Sequence, residues 1–272
     1  MWASIKETVK TVVYALLIAG VFRTLFFQPF WIPSGSMKET LLVGDFLFVN
    51  KMAYGYSYAS CPSIVIPRFG IDIDAEDFCG VFKGGDSRLF GSVPERGDVV
   101  VFRHPVTGRD FIKRLIGLPG DTIQMRDGVV VLNGTDVPQT DAGLFIEPFV
   151  QRGQPANFPS CSNRTVPIGE DCLKQRFTET LPNGVQYSVL NVGVGPLDST
   201  GIFTVPEGEY FFMGDNRDNS SDSRRPQISR GVGFVPFEDI VGRADRIVFS
   251  SAGTSLLAFW TWRSDRFFKA VE

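Results

Sequence analysis

The strongest constraint on the fold is the lack of long amphipathic helices between residues 32 and 250. Apolar residues in that region come in short runs bounded by Gly, Pro, Asp or Asn, such as Phe46 to Val49, Val99 to Phe102 and Asp110 to Gly117. Runs of this length with these boundaries are typical of β-strands. The sequence therefore predicts a mainly β protein whose antiparallel sheet is closed like a barrel, or folded over, to hide its edges.

A hairpin is predicted at Thr122 to Leu132, with its turn at Arg126-Asp127-Gly128. Polar residues and turn formers separate the later apolar runs from one another. These runs predict further strands at 201–206, 209–213 and 240–249. We place the boundaries of the β domain at residues 29–250.

Two stretches interrupt this domain, at 53–92 and at about 135–200. Both are rich in turn residues and are predicted to be irregular insertions. They contain the four cysteines, Cys61, Cys79, Cys161 and Cys172, which form no C-x-x-C motif. Two local disulfides, Cys61–Cys79 and Cys161–Cys172, are the simplest of three possible connectivities and imply an oxidising compartment. Four free thiols in a reducing compartment are the alternative.

An apolar segment precedes the β domain. Thr11 to Phe22 has no charged residue, and Lys10 and Arg23 flank it. As a helix this core is about 18 Å long, shorter than the hydrocarbon layer of about 30 Å, but flanking cations can extend to the headgroups. We predict an anchor over residues 1–28 with a transmembrane helix at about 8–27 and the N-terminus in the cytoplasm. A cleaved signal peptide, which lacks its small-residue site here, and a buried helix are the alternatives.

The C-terminal segment 251–272 mixes aromatic side chains with cations and is too charged to span a bilayer. It is predicted to be an amphipathic tail that lies on the membrane surface. A packed terminal helix is the alternative.

Charge and histidine content narrow the classes of function. The net charge is −3 and no basic patch stands out, so a nucleic-acid partner is not expected. His104 is the one histidine, which argues against a multi-histidine metal site. We expect no metal and no other cofactor.

A short motif, Ile32-Pro33-Ser34-Gly35-Ser36-Met37, directly follows the anchor. Pro and Gly allow a tight, defined turn, in which Ser36 can attack as a nucleophile and Ser34 can donate to an oxyanion. A serine-rich surface turn is the plainer interpretation. The nucleophile needs a base, and the candidates are His104, in a loop-like setting that predicts a surface residue, and Lys113, in an apolar strand that can desolvate its amine.

Three motifs in this order resemble those of bacterial type I signal peptidases. They are Pro33-Ser-Gly-Ser-Met37, Phe111-Ile-Lys-Arg114 with Gly117-Leu-Pro-Gly-Asp121, and Gly214-Asp-Asn-Arg-Asp-Asn-Ser-Ser-Asp-Ser-Arg224. The resemblance covers about 28–250 apart from the two insertions. Phe111 stands where the family commonly has Tyr, which is a departure from the pattern.

The resemblance implies a role for each matching position. Ser36 is the expected nucleophile and Lys113 its general base, while Ser34 and the Ser36 backbone N–H form the oxyanion hole. Ser220 is expected to orient the lysine. A charged pair, Asp222 and Arg224, is expected to brace that loop. Shallow pockets for small side chains are expected at Phe30, Ile32, Pro33, Met37, Leu41, Phe111 and Ile112.

The resemblance also implies a function. The chain is expected to be a membrane-bound serine endopeptidase that removes signal peptides from secretory preproteins after Ala-x-Ala-like sites, with its catalytic domain on the outer side of the cytoplasmic membrane. Membrane lipid and the preproteins are its expected partners. The alternatives are a specialised Ser-Lys peptidase for a conjugation or pilus subunit, and a non-catalytic membrane-tethered binding domain.

Overall fold

The fold is mainly β, as predicted, with few helices. A computed structural model describes residues 2–61, 64–66, 71–73, 75–84, 88–152, 158–163, 165–229, 231–253 and 257–272. The helices are α1 (Trp2–Leu25) and α2 (Ala75–Cys79). The strands are β1 (Phe27–Trp31), β2 (Asp45–Asn50), β3 (Ile64–Ile66), β4 (Ile71–Ile73), β5 (Val99–Arg103), β6 (Asp110–Gly117), β7 (Thr122–Arg126), β8 (Val129–Leu132), β9 (Thr135–Asp136), β10 (Gln139–Pro148), β11 (Asp171–Thr180), β12 (Gln186–Asn191), β13 (Phe203–Thr204), β14 (Glu209–Met213), β15 (Val235–Pro236) and β16 (Ile240–Ser250).

The main sheet has the strand order β1-β2-β16-β5-β6-β14-β15 among the described residues. Its neighbouring strands are antiparallel, and Val100 of β5 pairs with Lys113 of β6. Strand β5 is buried on both faces from Val99 to Phe102, which explains its continuous apolar run. The sheet therefore places the predicted base on a strand in the interior of the protein.

A second sheet, β13-β7-β8-β9, contains the predicted hairpin. Its turn residues Asp127 and Gly128 have φ values of 48° and 83°. Positive φ at two consecutive positions is the requirement of a tight hairpin turn, and Asp-Gly satisfies it at low cost. Apolar residues of this sheet, including Ile123 and Val130, pack in one hydrophobic cluster with Phe211 of β14.

The described part of the stretch 135–200 is not irregular throughout, contrary to the sequence-based prediction, because it contains the strands β9 to β12. Strands β10 and β11 form a long antiparallel hairpin, and β12 pairs with β11. Strand β10 is exposed at most of its positions, so its sequence has no apolar alternation to indicate a strand. A disulfide joins Cys161 to Cys172 beside this hairpin.

The insertion at 53–92 contains the short strand pair β3–β4 and helix α2 in its described part. A disulfide joins Cys61 to Cys79 at the end of α2. The structure therefore contains both local cysteine pairs.

Helix α1 leads directly into β1. Its apolar side chains are exposed around its circumference, with Leu16, Leu17 and Ile18 at 67%, 59% and 71%. None of the helices in the described ranges combines the length and the apolar character that crossing a membrane requires.

The C-terminal segment packs on the main sheet. Arg266 donates to both carboxylate oxygens of the buried Asp45, at 3.1 and 2.6 Å. The Trp262 ring meets Phe249 edge-on at 4.9 Å. Trp260 nevertheless stays 76% exposed. The segment is thus packed through one side and presents an aromatic residue on the other.

Candidate active site

The serine turn begins where β1 ends and is held by the main sheet. The Ile32 N–H donates to Asp45 at 2.9 Å, and the Gly44 N–H donates back to Ile32 at 3.0 Å. Gly35 and Ser36 are buried, whereas Ser34 is exposed. The turn therefore presents one hydroxyl to the interior and the other to the solvent.

Lys113 and Ser36 meet directly, although 77 residues separate them in the sequence. The Lys113 Nζ lies 2.7 Å from the Ser36 Oγ and donates to the Ile112 carbonyl at 2.8 Å. Lys113 is 3% exposed and Ser36 is 7% exposed. A buried amine at hydrogen-bond distance from a hydroxyl has the geometry that a general base and its nucleophile require.

The environment of Lys113 favours its neutral form. Burial lowers the pKa of Lys113 from its ordinary value to about 8, against a smaller opposing effect of Asp222 and Asp215, which raise it. A lysine with this pKa is deprotonated in about one molecule in ten at pH 7. Lys113 can therefore accept a proton near neutral pH, which a solvated lysine does poorly.

The pair Asp222–Arg224 lies in the polar loop after β14. The Arg224 Nε donates to Asp222 Oδ1 at 2.9 Å, Nη2 lies 2.9 Å from Oδ2, and both side chains are fully buried. Burial by itself acts to raise the pKa of Asp222, but Arg224 and further hydrogen bonds hold it below its ordinary value. The Gly214 N–H also donates to Asp222 at 3.1 Å. The pair thus cross-links the loop, in the position expected for a brace.

Ser220 packs closely against Gly214. A Cβ at Gly214 would lie 2.3 Å from the Ser220 Oγ and 2.6 Å from the Ser36 carbonyl oxygen, so only glycine lets these segments approach. Within the described residues no hydrogen bond joins Ser220 to Lys113. The lysine-orienting role of Ser220 stays a prediction.

A buried ion pair that was not predicted from the sequence lies on the opposite face of β6. The Arg114 Nε and Nη2 donate to the two carboxylate oxygens of Asp215 at 2.9 and 2.8 Å. Arg114 is fully buried and Asp215 is 1% exposed. The signal was available in the adjacent positions of Lys113 and Arg114, because two consecutive cations in a buried strand require a partner on each face.

Asn216 connects the polar loop to the serine turn. Its Nδ2 donates to the Gly35 carbonyl at 2.8 Å, and its backbone N–H donates to the Ser36 carbonyl at 3.0 Å. The Arg114–Asp215 pair fixes the residue next to it. These contacts fix the backbone of the serine turn, and none of them was predicted from the sequence.

Lys38 links the serine turn to the β10–β11 hairpin. Its Nζ and that of Lys174 each lie 2.5 Å from an oxygen of Glu147, and all three side chains are buried. Burial lowers the pKa of Lys38, although Glu147 raises it. A Cβ at Gly35 would touch the Lys38 Cε at 3.1 Å, so the lysine stem supports the turn.

A cleft of about 360 Å³ opens beside Ser36 and Lys113. The predicted pocket residues that line it are Phe30, Ile32, Pro33, Phe111 and Ile112, together with Ser34. Met37 and Leu41, which we expected in the pockets, lie instead in the hydrophobic core at 1% and 0% exposure. Their apolar side chains turn inward because the turn that contains them runs over this core.

His104 is buried, and the expectation of a surface residue was wrong. Its Nε2 lies 2.9 Å from the Gly231 carbonyl, and its Nδ1 accepts from the N–H groups of Val106 and Thr107 at 3.1 and 3.3 Å. The ring therefore closes the turn between β5 and β6 and is occupied by structural contacts. In the described part of the chain no cluster of three or more metal-ligating side chains occurs.

Comparison with known proteins gives consistent matches. The family described as signal peptidase, peptidase S26, matches residues 5–249. Signal peptidase I of Rickettsia typhi is 39% identical over 260 residues, which cover 91% of this chain and 81% of that protein. Signal peptidase I of Rickettsia prowazekii is 40% identical over 258 residues, with the same two coverages of 91% and 81%. A crystal structure of a signal peptidase I from Enterococcus faecalis aligns with 56% of this chain and 97% of its own, at 26% identity and a TM-score of 0.29.

Proposed function

Because this chain belongs to the signal peptidase family, peptidase S26, we propose that it cleaves signal peptides from secretory preproteins after Ala-x-Ala-like sites with a Ser36–Lys113 dyad. It is a hydrolase of the serine endopeptidase type. The observation that carries the proposed mechanism is the distance of 2.7 Å between the buried Lys113 Nζ and the Ser36 Oγ.

The reaction begins with neutral Lys113. Its amine takes the proton of the Ser36 hydroxyl while the Oγ attacks the carbonyl carbon of the scissile peptide. The resulting ammonium donates a proton to the leaving amine, which departs as the new N-terminus of the mature protein. Lys113, neutral again, then takes a proton from water while the water oxygen attacks the ester carbonyl. The ammonium returns this proton to the Ser36 Oγ as the ester bond breaks, which releases the signal peptide and restores the neutral amine.

Negative charge develops on the substrate carbonyl oxygen during both attacks. We assign the oxyanion hole to the Ser34 hydroxyl and the Ser36 backbone N–H, since Ser34 lines the cleft beside the nucleophile. The Asn216 contacts to the carbonyls of Gly35 and Ser36 support this geometry from the opposite side.

The apolar walls of the cleft support a preference for small residues before the scissile bond. Ile32 is 2% exposed and packs in the core, so this wall cannot retreat to admit a large side chain. A precursor with Phe in place of Ala at the position before the cut should lose about 100-fold or more in kcat/KM. N-terminal sequencing of the product, with quantified rates for both precursors, tests the site and the preference. Equal cleavage of the two precursors would contradict the proposal, and a Ser36→Ala preparation controls for contaminating peptidases.

The activity should depend on pH through Lys113. Since burial lowers the pKa of Lys113 to about 8 and the base must be neutral, kcat/KM should rise about tenfold per pH unit below 8 and level off above it. Initial rates on an internally quenched peptide from about pH 6 to 10 measure this profile. A rate that is constant or falls between pH 6 and 8 is incompatible with Lys113 as the base.

We also propose that the enzyme works against a lipid surface. An aromatic band runs from Trp31 through Phe46 and Phe249 to Trp262, with ring centroids 4.7, 5.9 and 4.9 Å apart, and it borders the strand that joins α1 to the serine turn. Helix α1 also exposes apolar side chains to the solvent. Co-flotation of the full chain with phospholipid vesicles tests the association, and a chain that stays at the bottom of the gradient contradicts it. The single crossing with an inner N-terminus stays a prediction.

A further inference from the structure

The side chain of Lys38 folds back over the serine turn. A Cβ at Gly35 would lie 3.1 Å from the Lys38 Cε and 3.4 Å from its Cδ, and the three atoms nearest to that position all belong to Lys38. The Lys38 backbone N–H also donates to the Gly35 carbonyl oxygen, at 3.3 Å. Lys38 therefore contacts Gly35 through both its side chain and its main chain.

The Gly35 carbonyl belongs to the same peptide unit as the Ser36 N–H. Because a trans peptide unit is planar, these two groups point in opposite directions and can only rotate together. The Ser36 N–H is one of the two donors assigned to the oxyanion hole. Any contact that fixes the plane of this peptide unit therefore also fixes the direction in which the donor points.

A buried carboxylate anchors Lys38 to the β10–β11 hairpin. Glu147 of β10 lies 2.5 Å from the Lys38 Nζ. Burial by itself acts to raise the pKa of Glu147, but Lys38 and Lys174 hold it below its ordinary value. Arg176 of β11 lies 3.2 Å from Glu39. The hairpin therefore contacts two consecutive residues that directly follow the serine turn.

Lys174 shares the same carboxylate but lies on the side of the hairpin. Its Nζ lies 2.5 Å from the other Glu147 oxygen and 5.9 Å from the centre of the Phe145 ring. It is fully buried, and among the described residues its amine forms no hydrogen bond or ion pair with the serine turn. Lys174 is thus a matched comparison for Lys38, because the two have the same chemistry and the same anionic partner.

We propose that Lys38, anchored by Glu147, is a positioning residue that holds the Gly35–Ser36 peptide unit in the orientation that stabilises the oxyanion. This inference rests on the proposed function and deepens it. An oxyanion donor acts mainly on the transition state, in which the negative charge develops on the substrate oxygen. Loss of the anchor should therefore lower kcat and leave KM nearly unchanged.

The test compares Lys38→Met with Lys174→Met in the full-length protein in detergent micelles, with a cleavable precursor peptide. Each variant leaves one amine for the Glu147 carboxylate, so we expect similar unfolding midpoints for the two. Lys38→Met should lower kcat by about 10-fold or more with KM within about twofold, because a small misplacement of a catalytic group is costly. Lys174→Met should keep kcat within about threefold of the native value, because Lys38 keeps its anchor.

Two further readouts separate positioning from other effects. The pH profile of Lys38→Met should keep the native midpoint near 8, because burial lowers the pKa of Lys113 to about 8 and the charges that act on it are Asp222 and Asp215. Glu147→Gln should lower kcat by about threefold or more in the native chain, but by less than about twofold in Lys38→Met, because both changes remove the same contact.

Four outcomes overturn the inference. They are a native kcat in Lys38→Met, equal losses of kcat in Lys38→Met and Lys174→Met, a shifted pH midpoint, and additive losses in the double variant. If Lys38→Met does not fold, Glu147→Gln decides in its place, and a native kcat in that variant overturns the inference. All these comparisons require a native chain that cleaves the peptide. They are therefore distinct from failure of the proposed function, in which the native chain cleaves no peptide at all.

Discussion

Replacing Lys113 with Met should lower kcat by about 10⁴-fold or more while leaving the protein folded. Methionine has nearly the length of lysine and no basic group, so the Ser36 hydroxyl keeps its position and loses its proton acceptor. The substitution removes a buried amine whose charged form is disfavoured, together with its hydrogen bonds to the Ser36 hydroxyl and the Ile112 carbonyl. Single-turnover cleavage of a precursor by purified protein, with the unfolding midpoint measured in parallel, separates catalysis from stability.

Lys51 provides a matched control for this experiment. It is 1% exposed, burial lowers its pKa to about 8, and it donates to the Ser60 carbonyl at 2.6 Å. It therefore shares the burial and the lowered pKa of Lys113 and differs in that its amine forms no hydrogen bond to a hydroxyl among the described residues. Lys51→Met should keep kcat within about threefold of the native value, because general-base catalysis needs the base at hydrogen-bond distance from its nucleophile. More than about 1% residual kcat in Lys113→Met, with an intact Ser36, would remove Lys113 from the role of base.

The sequence predicted the central strands because their apolar runs are local signals. Strand β5 is buried on both faces and β7–β8 has its Asp-Gly turn, so each could be located without knowledge of its neighbours. The β10–β11 hairpin could not be located in this way, since β10 is exposed at most of its positions and the buried positions of β11 include the charged Lys174 and Glu179. Its stability comes from pairing between distant segments and from buried polar contacts such as those of Glu147.

The same difference between local and long-range signals separates the site residues that could be predicted from those that could not. Ser36 and Lys113 were recognisable because each lies in a motif of contiguous residues. The support beneath them was not, because the partner of Arg114 lies 101 residues away and that of Lys38 lies 109 residues away. Met37 and Leu41 were misplaced for a related reason: the sequence indicates that they are apolar, but not whether they face the cleft or the core.

Replacing Arg114 with Met should destabilise the protein by about 3–5 kcal/mol, because it leaves the Asp215 carboxylate buried without its cation. The remaining partner, the Thr40 hydroxyl at 2.5 Å, cannot balance the charge. The loss should also reach the active site, since Asp215 precedes the residue that binds the Gly35 and Ser36 carbonyls. The shift of the urea midpoint measures the destabilisation, and the rate at temperatures well below unfolding measures the effect on catalysis.

Two further variants determine whether the buried charge is the cause. Arg126 pairs with Asp136 at 3.2 Å, with both side chains more than half exposed. Arg126→Met should therefore cost at most about 1 kcal/mol, since water screens an exposed pair. The double replacement of Arg114 by Met and Asp215 by Leu removes both charges and should recover part of the lost stability. If Arg114→Met costs no more than Arg126→Met, or if the double variant is less stable than the single one, the pair acts through packing and not through its charges.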